Sequence, residues 1–504
     1  MLIITYYCLS VKIETDIYNL QEHLKLFLKK FYTSTQASFA KVGEADVKLF
    51  ASKVNNQGIY YLHTNQFIHL YHYLKEMGVE LKADEKIDKR DYKVEMADFK
   101  VRSHWVLRDY QVPIVDFLLD NPTKSKLIPI NTGQGKTTIS LHAIASINQK
   151  LGIVILPVLC DKWISDIVDV HEATTKDVMV VQGSKALRSI ISMAKSDTAD
   201  SNYYIFSSRT MQEYINTYEE NPELCLEMYG CAPIDLFPLL GIGVMLVDES
   251  HMQWHNIFKI LIHSNVKYQI GLTATLLSDD PVVKRLYKIV YPETSIYGDK
   301  LIQKYTDVYA VAYSITPHLL KHIRTTNYGS NNYAHIAFEQ SIMKKPDLYK
   351  SYIRLILTTI EDYFITDYKP GDKLLIYVAT VKLATLLSDV LKEQYFKYVV
   401  NRYCEDDPYE FLMNSDIVVS SMIKSSTGVD IKGLRTVIQT ISISSQVSNI
   451  QSLGRLRKLT DRDTKFVYLY SSNITKQKDY HIRRMELFKD RTANIVLRQS
   501  RVGL

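Results

Sequence analysis

A glycine-rich loop that ends in a lysine and two threonines is the part of the sequence that most directly indicates chemistry. It reads Asn-Thr-Gly-Gln-Gly-Lys-Thr-Thr over residues 131–138. Such a loop can turn its backbone N–H groups toward a phosphate, because glycine adopts the sharp bends that this requires. We expect Lys136 to reach the β- and γ-phosphates of a nucleoside triphosphate and the Thr137 hydroxyl to bind Mg²⁺. The other loop residues assigned to the nucleotide are Thr132, Gly133, Gln134, Gly135 and Thr138.

Two acidic residues follow an apolar run further along the chain. The run Gly243–Val247 predicts a strand buried on both faces of a parallel sheet, and it ends at Asp248 and Glu249. Because such sheets bind ligands at the carboxyl ends of their strands, both carboxylates are expected to face the phosphates. Asp248 is assigned to Mg²⁺, and Glu249 to orienting and deprotonating the attacking water. His251 is placed to sense the γ-phosphate.

Two threonines at the end of another apolar strand could pass that signal onward. The strand is predicted at residues 268–272, and Thr273 and Thr275 follow it with one residue between them. Hydroxyls spaced in this way on a strand face the same side. We expect them to hydrogen-bond His251 and to couple hydrolysis to another part of the molecule.

These residues need a sheet and a helix to position them. A short apolar run at residues 127–130 precedes the glycine-rich loop, and apolar residues with helical spacing predict a helix from Lys136 to about Lys150. The start of that helix adds free N–H groups and the positive end of its dipole to the phosphate site.

A second group of buried strands is predicted beyond residue 370, at 374–378, 416–420, 436–439 and 465–470. Helical patterns lie between some of them, such as residues 381 to about 395, so we predict a second parallel α/β unit. A helix capped by Ser448 or Asn449 is expected before the last strand.

That helix carries candidates for a second set of phosphate contacts. Gln451 and Arg455 are expected just inside it, and Arg455 could neutralise the charge that develops on the γ-phosphate during transfer. Arg457 and Lys458 are alternatives for this contact. Lysine cannot reproduce the two-pronged hydrogen bonding of a guanidinium, which favours an arginine.

Taken in chain order, the glycine-rich loop, the acidic residues, the two threonines and the residues around Gln451 and Arg455 resemble the sequence motifs of superfamily-2 helicases. The resemblance is to the DExH type, since the second motif here is Asp-Glu-Ser-His at residues 248–251. Leu-Arg-Asp-Tyr-Gln at residues 107–111 is similar to the family's Q motif, which implies that Gln111 reads the adenine edge of ATP. Residues 425–430 resemble motif V, which places Asp430 between the nucleic-acid strand and the nucleotide.

Two further segments resemble family motifs that touch the nucleic-acid backbone. Ile-Leu-Pro at residues 155–157, with Lys162 and Trp163, is similar to motif Ia. Phe-Ser-Ser at residues 206–208 is similar to motif Ib. The likeness covers about residues 105–475.

Within the superfamily, the length and organisation of the chain resemble those of phage UvsW-type DNA helicases. This likeness implies branch migration of junctions and unwinding of forks or R-loops, with ATP and Mg²⁺ as cofactors and DNA as the partner. An RNA helicase, or a double-stranded DNA translocase without strand separation, would use the same ATPase on a different track. The motor subunit of a restriction–modification complex is another alternative.

The fold class that follows is α/β, with two RecA-like parallel-sheet motor domains and a small α+β accessory domain. The predicted segments are an accessory domain at 1–95, a first motor domain at 96–300, a hinge with inserted helices at 301–370, a second motor domain at 371–475 and a basic C-terminal helix at 476–504. The charged run at residues 82–91 is interpreted as a linker.

Composition bears on the number of domains, the binding partner and the compartment. The 504 residues exceed what one core supports, and the net charge of +6 permits an anionic partner such as DNA or RNA. The five cysteines form no C-x-x-C pair, which favours a reducing compartment, the cytoplasm, or the host cytoplasm for a phage protein. No apolar run is long enough for a membrane span, so no membrane partner is expected.

Overall fold

The computed structural model describes residues 1–37, 45–54, 58–120, 124–130, 134–249, 253–273, 281–298, 304–326, 332–404, 407–422, 431–459 and 461–504. These residues form two compact units. The first runs from Met1 to Ile130 and from Gln134 to Lys300, and the second from Leu301 to Leu504.

The first unit begins with a small sheet and two helices. Its elements are β1 (Leu2–Tyr6), β2 (Ser10–Thr15), α1 (Tyr18–Phe31), β3 (Thr33–Ala37), β4 (Ala45–Leu49), β5 (Ser52–Val54), β6 (Ile59–His63), α2 (Thr64–Glu76) and β7 (Glu85–Asp88). Five strands form a mixed sheet in the order β5-β6-β2-β1-β7, and β3 pairs with β4 separately. Leu20, Leu24 and Phe27 are buried on one face of α1, at the spacing of an amphipathic helix.

This small sheet shares one hydrophobic core with the rest of the first unit. The hydroxyls of Tyr61 and Tyr218 lie 3.2 Å apart, and the Phe50 ring packs edge-on against Phe258 with 5.8 Å between centroids. Oδ1 of Asn265 accepts a hydrogen bond from the backbone N–H of Cys8, between β1 and β2, at 2.9 Å. The N-terminal sheet is therefore built into the first unit by buried contacts.

A parallel sheet occupies the remainder of the first unit. The elements are α3 (Val112–Asp120), β8 (Ser125–Pro129), α4 (Lys136–Ile147), β9 (Leu151–Ile155), α5 (Cys160–Val170), β10 (Val178–Val181), α6 (Ser184–Lys195), β11 (Tyr203–Ser207), α7 (Ser208–Glu220), α8 (Pro222–Tyr229), α9 (Leu236–Leu239), β12 (Val244–Val247), α10 (Trp254–Ile262), β13 (Tyr268–Thr273) and α11 (Pro281–Val290).

Its six strands follow the order β10-β11-β9-β12-β13-β8, and every pairing is parallel. Strands β9, β11 and β12 are buried along their whole length, as their continuous apolar runs require. The carboxyl ends of β8, β12 and β13 lie at one edge of the sheet, since the three strands are adjacent. Asp248 and Glu249, which follow β12, and Thr273, which ends β13, lie at that edge.

The second unit contains a seven-stranded parallel sheet. Its elements are β14 (Thr306–Tyr313), α12 (Pro317–Leu320), α13 (His335–Met343), α14 (Pro346–Tyr363), β15 (Lys373–Val378), α15 (Val381–Gln394), β16 (Val400–Tyr403), α16 (Tyr409–Asn414), β17 (Ile417–Ser421), β18 (Leu434–Gln439), α17 (Gln446–Leu453), β19 (Thr464–Ser471), α18 (Thr475–Phe488) and β20 (Asn494–Gln499). The strand order is β16-β17-β15-β18-β19-β14-β20. The four strands predicted for this region are all present.

Two segments of this sheet differ from the sequence prediction. The segment 301–370, predicted to be a hinge with inserted helices, contributes β14, which lies between β19 and β20. The segment 476–504, predicted to be a basic helix, is helical only to Phe488 and then forms β20, which pairs in parallel with β14. Both pairings join residues far apart in sequence, and β20 is a largely exposed edge strand without a long apolar run.

The charged run at residues 82–91 is likewise more than a linker. Within it, β7 forms the edge of the small sheet and pairs in parallel with β1. Three of its four residues are exposed, and an edge strand of this kind needs no apolar pattern.

The α/β fold class is confirmed: two parallel sheets flanked by helices, with a small mixed sheet at the N-terminus. All five cysteines are buried and none forms a disulfide. Among the described residues, no helix has the length and apolar character that crossing a membrane would demand.

Candidate nucleotide-binding and catalytic site

The glycine-rich loop leads directly into helix α4. Gly135 is the residue before the helix and has a φ of 80°, in the left-handed region that favours glycine. A Cβ at this position would lie 2.4 Å from Nε2 of Gln111, so a larger residue would also displace that amide from its hydrogen bond to the Gln134 carbonyl. Lys136, Thr137 and Thr138 form the first turn of α4. The start of the helix is therefore shaped as the phosphate-binding prediction requires.

Gln111 is buried and holds this loop in place. Its Oε1 accepts a hydrogen bond from the Arg108 backbone N–H at 2.9 Å, and its Nε2 donates to the Gln134 carbonyl at 3.1 Å. The Tyr110 hydroxyl donates to the same carbonyl at 3.2 Å. Gln111 thus anchors the loop backbone, while adenine recognition by its amide stays a prediction.

Lys136 and Glu249 form an ion pair at the carboxyl edge of the sheet. Nζ of Lys136 lies 3.4 Å from Oε1 of Glu249, and the two side chains are only 10% and 14% exposed. Glu249 follows β12 with a φ of 49°, a left-handed conformation that non-glycine residues seldom adopt. The chain thus brings together the two residues assigned to the γ-phosphate and to the attacking water.

The Asp248 carboxylate is hydrogen-bonded at both oxygens. Oδ1 accepts the Glu249 backbone N–H at 2.8 Å, and Oδ2 accepts the indole Nε1–H of Trp163 at 2.9 Å. Asp248 is 9% exposed. The carboxylate is thereby fixed in orientation while its remaining lone pairs can still accept from water or bind a cation.

Trp163 lies in the site in a place that the sequence prediction missed, with its indole N–H on the Asp248 carboxylate. The likeness to motif Ia assigned it to the nucleic-acid backbone, but its side chain is fully buried, so that assignment is wrong in this structure. The sequence contained a signal, because Cys160, Trp163, Ile167 and Val170 follow the helical spacing of a buried face. Lys162, by contrast, is 43% exposed.

Asp166 is a further carboxyl group close to the proposed metal ligands. Burial raises its pKa; Lys162, whose Nζ lies 3.9 Å away, opposes that shift, and the negative charge of Asp248 adds to it. The Thr137 hydroxyl interacts with the same carboxyl group. The oxygen donors at this edge of the sheet therefore come from Thr137, Asp248 and Asp166, which suit a hard cation such as Mg²⁺.

The predicted coupling residues are only partly described. Thr273 ends β13, is fully buried, and pairs in register with Pro129 at the end of β8. Its strand lies between the strand of the acidic residues and the strand that leads into the loop. Five predicted site residues lie outside the described residues: Thr132, Gly133, His251, Thr275 and Asp430.

In the second unit, Gln451 lies in the last turns of α17, and Arg455 follows the end of that helix rather than lying inside it. Ser445, not Ser448 or Asn449, caps the helix, accepting the Ser448 N–H at 3.2 Å. Asn449 instead donates its side-chain amide to nearby backbone carbonyls, including that of Ser445. The helix therefore begins and ends earlier than the sequence suggests.

The cationic residues after α17 differ in their surroundings. Arg455 is 6% exposed, whereas Lys458 is exposed. The Arg457 guanidinium donates to the Gly454 carbonyl. The assignment of a γ-phosphate contact to Arg455, with Arg457 and Lys458 as alternatives, stays a prediction.

Two residues of the predicted basic C-terminal helix pack against tyrosines of β19. Arg484 is 2% exposed and lies over the Tyr468 ring, 4.5 Å from its centroid. His481 stacks on Tyr470 with 4.0 Å between centroids. Arg484 is therefore not available to a nucleic acid, whereas Arg483, Lys489 and Arg498 are exposed.

Residues 104–278 match the family model described as the type III restriction enzyme, res subunit. This segment is a superfamily-2 helicase domain. The chain that carries it is accordingly an ATP-dependent enzyme of the helicase class. The matched residues include the glycine-rich loop, the two acidic residues and Thr273, so the helicase domain contains every element of the site in the first unit. No curated protein sequence matches the chain.

Solved structures resemble the chain at low sequence identity. S. cerevisiae Dbp5 bound to RNA and ADP BeF3 is 12% identical, with a TM-score of 0.48, 78% of this chain covered and 89% of that chain. T4 UvsW is 14% identical, with a TM-score of 0.35 and 99% of each chain covered.

Proposed function

We propose that the chain couples ATP hydrolysis to movement along a nucleic acid, with branched DNA as the track. The observation that supports the ATPase part most directly is the Lys136–Glu249 ion pair beside the start of α4. The phosphates of ATP can bind at the start of this helix, where a positively charged side chain is paired with the carboxylate assigned as the base.

In this proposal, binding of ATP replaces the ion pair. Lys136 turns from Glu249 to the β- and γ-phosphates, while the N–H groups at the start of α4 and of residues 132–135 surround the phosphate oxygens. Thr137 and Asp248 would hold Mg²⁺, which when bound supplies positive charge to the transferring phosphoryl group. Gln111 keeps the loop in place and favours ATP over other nucleotides.

Once Lys136 has turned to the phosphates, the Glu249 carboxylate acts as general base. It would orient a water molecule toward the γ-phosphate and accept its proton. The left-handed backbone of Glu249 and its N–H bond to Asp248 fix where this carboxylate can reach. The chemistry of this step therefore depends on the geometry at the end of β12.

The second unit is proposed to complete the cycle. Gln451 and Arg455 contact the γ-phosphate in the ATP-bound state, and Arg455 neutralises charge in the transition state. Asp430 contributes a contact to the nucleotide. The signal from the γ-phosphate passes through His251 to Thr273 and Thr275, and hydrolysis is converted into a domain movement.

Branched DNA is proposed as the track on the sequence likeness to UvsW-type helicases. This implies junction branch migration and the unwinding of forks or R-loops, in DNA recombination and repair. RNA is the alternative polymer, because motor motifs contact chiefly phosphates and discriminate poorly between DNA and RNA. A double-stranded DNA translocase and the motor subunit of a restriction–modification complex use the same ATPase.

One experiment separates these tracks. Steady-state ATP hydrolysis is measured without polymer and with single-stranded DNA, duplex DNA, a four-way junction, an R-loop and single-stranded RNA. Lys136→Ala serves as the inactive control. We expect junctions or R-loops to stimulate hydrolysis most. Stimulation by RNA alone would refute the DNA track and keep the motor, and hydrolysis equal to that of Lys136→Ala in every condition would refute the motor.

A further inference from the structure

We propose that Trp163 is a positioning residue that orients Asp248 for the metal ion of the nucleotide site; this inference rests on the proposed ATPase function. The bond that carries it is the one from the indole Nε1–H to Oδ2 of Asp248, at 2.9 Å. Both groups are buried, Trp163 completely and Asp248 to 9% exposure.

The fold explains how a helix residue reaches this carboxylate. Strand β9 lies next to β12 in the parallel sheet, with Val154 opposite Val247. Helix α5 follows β9, and Trp163 lies on its buried face with Cys160, Ile167 and Val170. Trp163 in the first turns of α5 is therefore placed beside the residue that follows Val247, which is Asp248.

Among the described residues, the indole is one of two hydrogen-bond donors to the carboxylate, and the two together determine its direction. The other is the Glu249 backbone N–H, 2.8 Å from Oδ1. With one bond alone, the carboxylate could rotate about its last torsion, which has a broad energy minimum. With both bonds, its free lone pairs keep one direction, and a metal ion or its water finds them already aligned.

The indole N–H is also chemically suited to this task. It is a neutral donor with no acceptor capacity, so it holds the carboxylate without competing for the cation and without neutralising the charge that attracts it. A lysine or arginine in its place would reduce the negative charge available to Mg²⁺. Partners of metal ligands that act in this way commonly change metal affinity by about 10–100-fold when they are removed.

Trp163→Phe tests the inference, because phenylalanine keeps an aromatic ring in the core and removes only the donor. The affinity for a fluorescent ADP analogue is measured over a Mg²⁺ titration and in EDTA. We expect the half-saturating Mg²⁺ concentration to rise by about 10–100-fold. The affinity in EDTA should stay within about twofold, since Asp248 does not contact the nucleotide without the metal.

The matched control is Trp105→Phe. Trp105 also donates its indole N–H to the region of α5, bonding the Asp169 carbonyl at 2.8 Å, but it does not contact Asp248. We expect its Mg²⁺ dependence to equal that of the wild type. A second comparison is made in the Asp248→Ala background, where Trp163→Phe should have no further effect on Mg²⁺ dependence. An equal effect with and without Asp248 would overturn the inference.

The outcomes separate the two proposals. If the wild type binds the analogue in neither buffer, the nucleotide site itself is refuted. If the wild type binds it with a clear Mg²⁺ dependence and Trp163→Phe behaves identically, only the role of Trp163 is refuted.

A measurement on the wild type covers the case in which Trp163→Phe does not fold. The chain has three tryptophans, so protein labelled with ¹⁵N-tryptophan gives three indole N–H signals. Trp105→Phe and Trp254→Phe assign the Trp163 signal by elimination. We expect that signal to shift when Mg²⁺ is added to the ADP complex, and an unchanged signal would overturn the inference.

Discussion

Replacing Glu249 by glutamine separates nucleotide binding from hydrolysis. Glutamine keeps the size of the side chain but cannot accept a proton from water. Loss of a positioned general base lowers turnover by about 10²–10⁴-fold, which corresponds to about 2.7–5.5 kcal/mol in the barrier. ATP binding should persist, because Lys136, Thr137 and Asp248 remain in place.

The ion pair with Lys136 predicts the direction of the change in affinity. At 3.4 Å and an effective dielectric constant of about 20, the gross attraction between Lys136 and Glu249 is about 5 kcal/mol. Desolvation and competition with water reduce the net value of such a pair to about 1 kcal/mol. Since ATP must displace this pair, Glu249→Gln should bind ATP about fivefold more tightly than the wild type.

The assay combines a binding titration of a fluorescent ATP analogue with single-turnover release of phosphate. Glu219→Gln is the matched control, because Glu219 forms a similarly buried ion pair with Lys259 at 2.5 Å, away from the glycine-rich loop. This control should lose some stability and keep wild-type turnover. If Glu249→Gln hydrolyses ATP at the wild-type rate, the assignment of the general base is wrong.

Three further predictions concern the loop and the second unit. Gly135→Ala should weaken nucleotide binding at least tenfold in the same titration, because its Cβ would lie 2.4 Å from Nε2 of Gln111 and its φ is 80°. Asp372→Asn should lower the free energy of unfolding by about 3 kcal/mol in a denaturant titration, since Asp372 is 1% exposed and pairs with the buried Arg435. Burial raises the pKa of Glu339 from 4.5 to about 7, so the folded protein holds a proton that the unfolded chain releases. The stability of the wild type relative to Glu339→Gln should therefore fall by up to about 3 kcal/mol as the pH rises from about 4.5 to about 7, and a constant difference would contradict this reasoning.

The buried strands and the loop could be predicted because their signals are local. A central strand of a parallel sheet is covered on both faces, so the sequence of β12 is an unbroken apolar run. The two acidic residues follow this strand directly. The start of α4 at Lys136 follows from the glycines before it. In such places, neighbouring residues contain all the information that the prediction needs.

The edge strands, and the position of β14 within its sheet, could not be predicted in the same way. The pairing of β14 with β20 joins Asp307 to Asn494, and no short window of sequence contains both partners. Edge strands such as β7 and β20 are exposed on at least one side, so charged residues are compatible with them. Their assignment depends on contacts across the fold, which periodicity does not reveal.

The support of Asp248 lies between these two cases. The helical spacing of α5 places Trp163 on a buried face, and a buried indole N–H requires an acceptor. That acceptor can be a backbone carbonyl, as it is for Trp105, or a side chain at the end of a neighbouring strand, as it is for Trp163. Only the order of strands shows that β12, with Asp248 after it, is that neighbour. The sequence thus predicts that the buried indole N–H of Trp163 has a hydrogen-bond acceptor, and the topology of the sheet determines which residue that acceptor is.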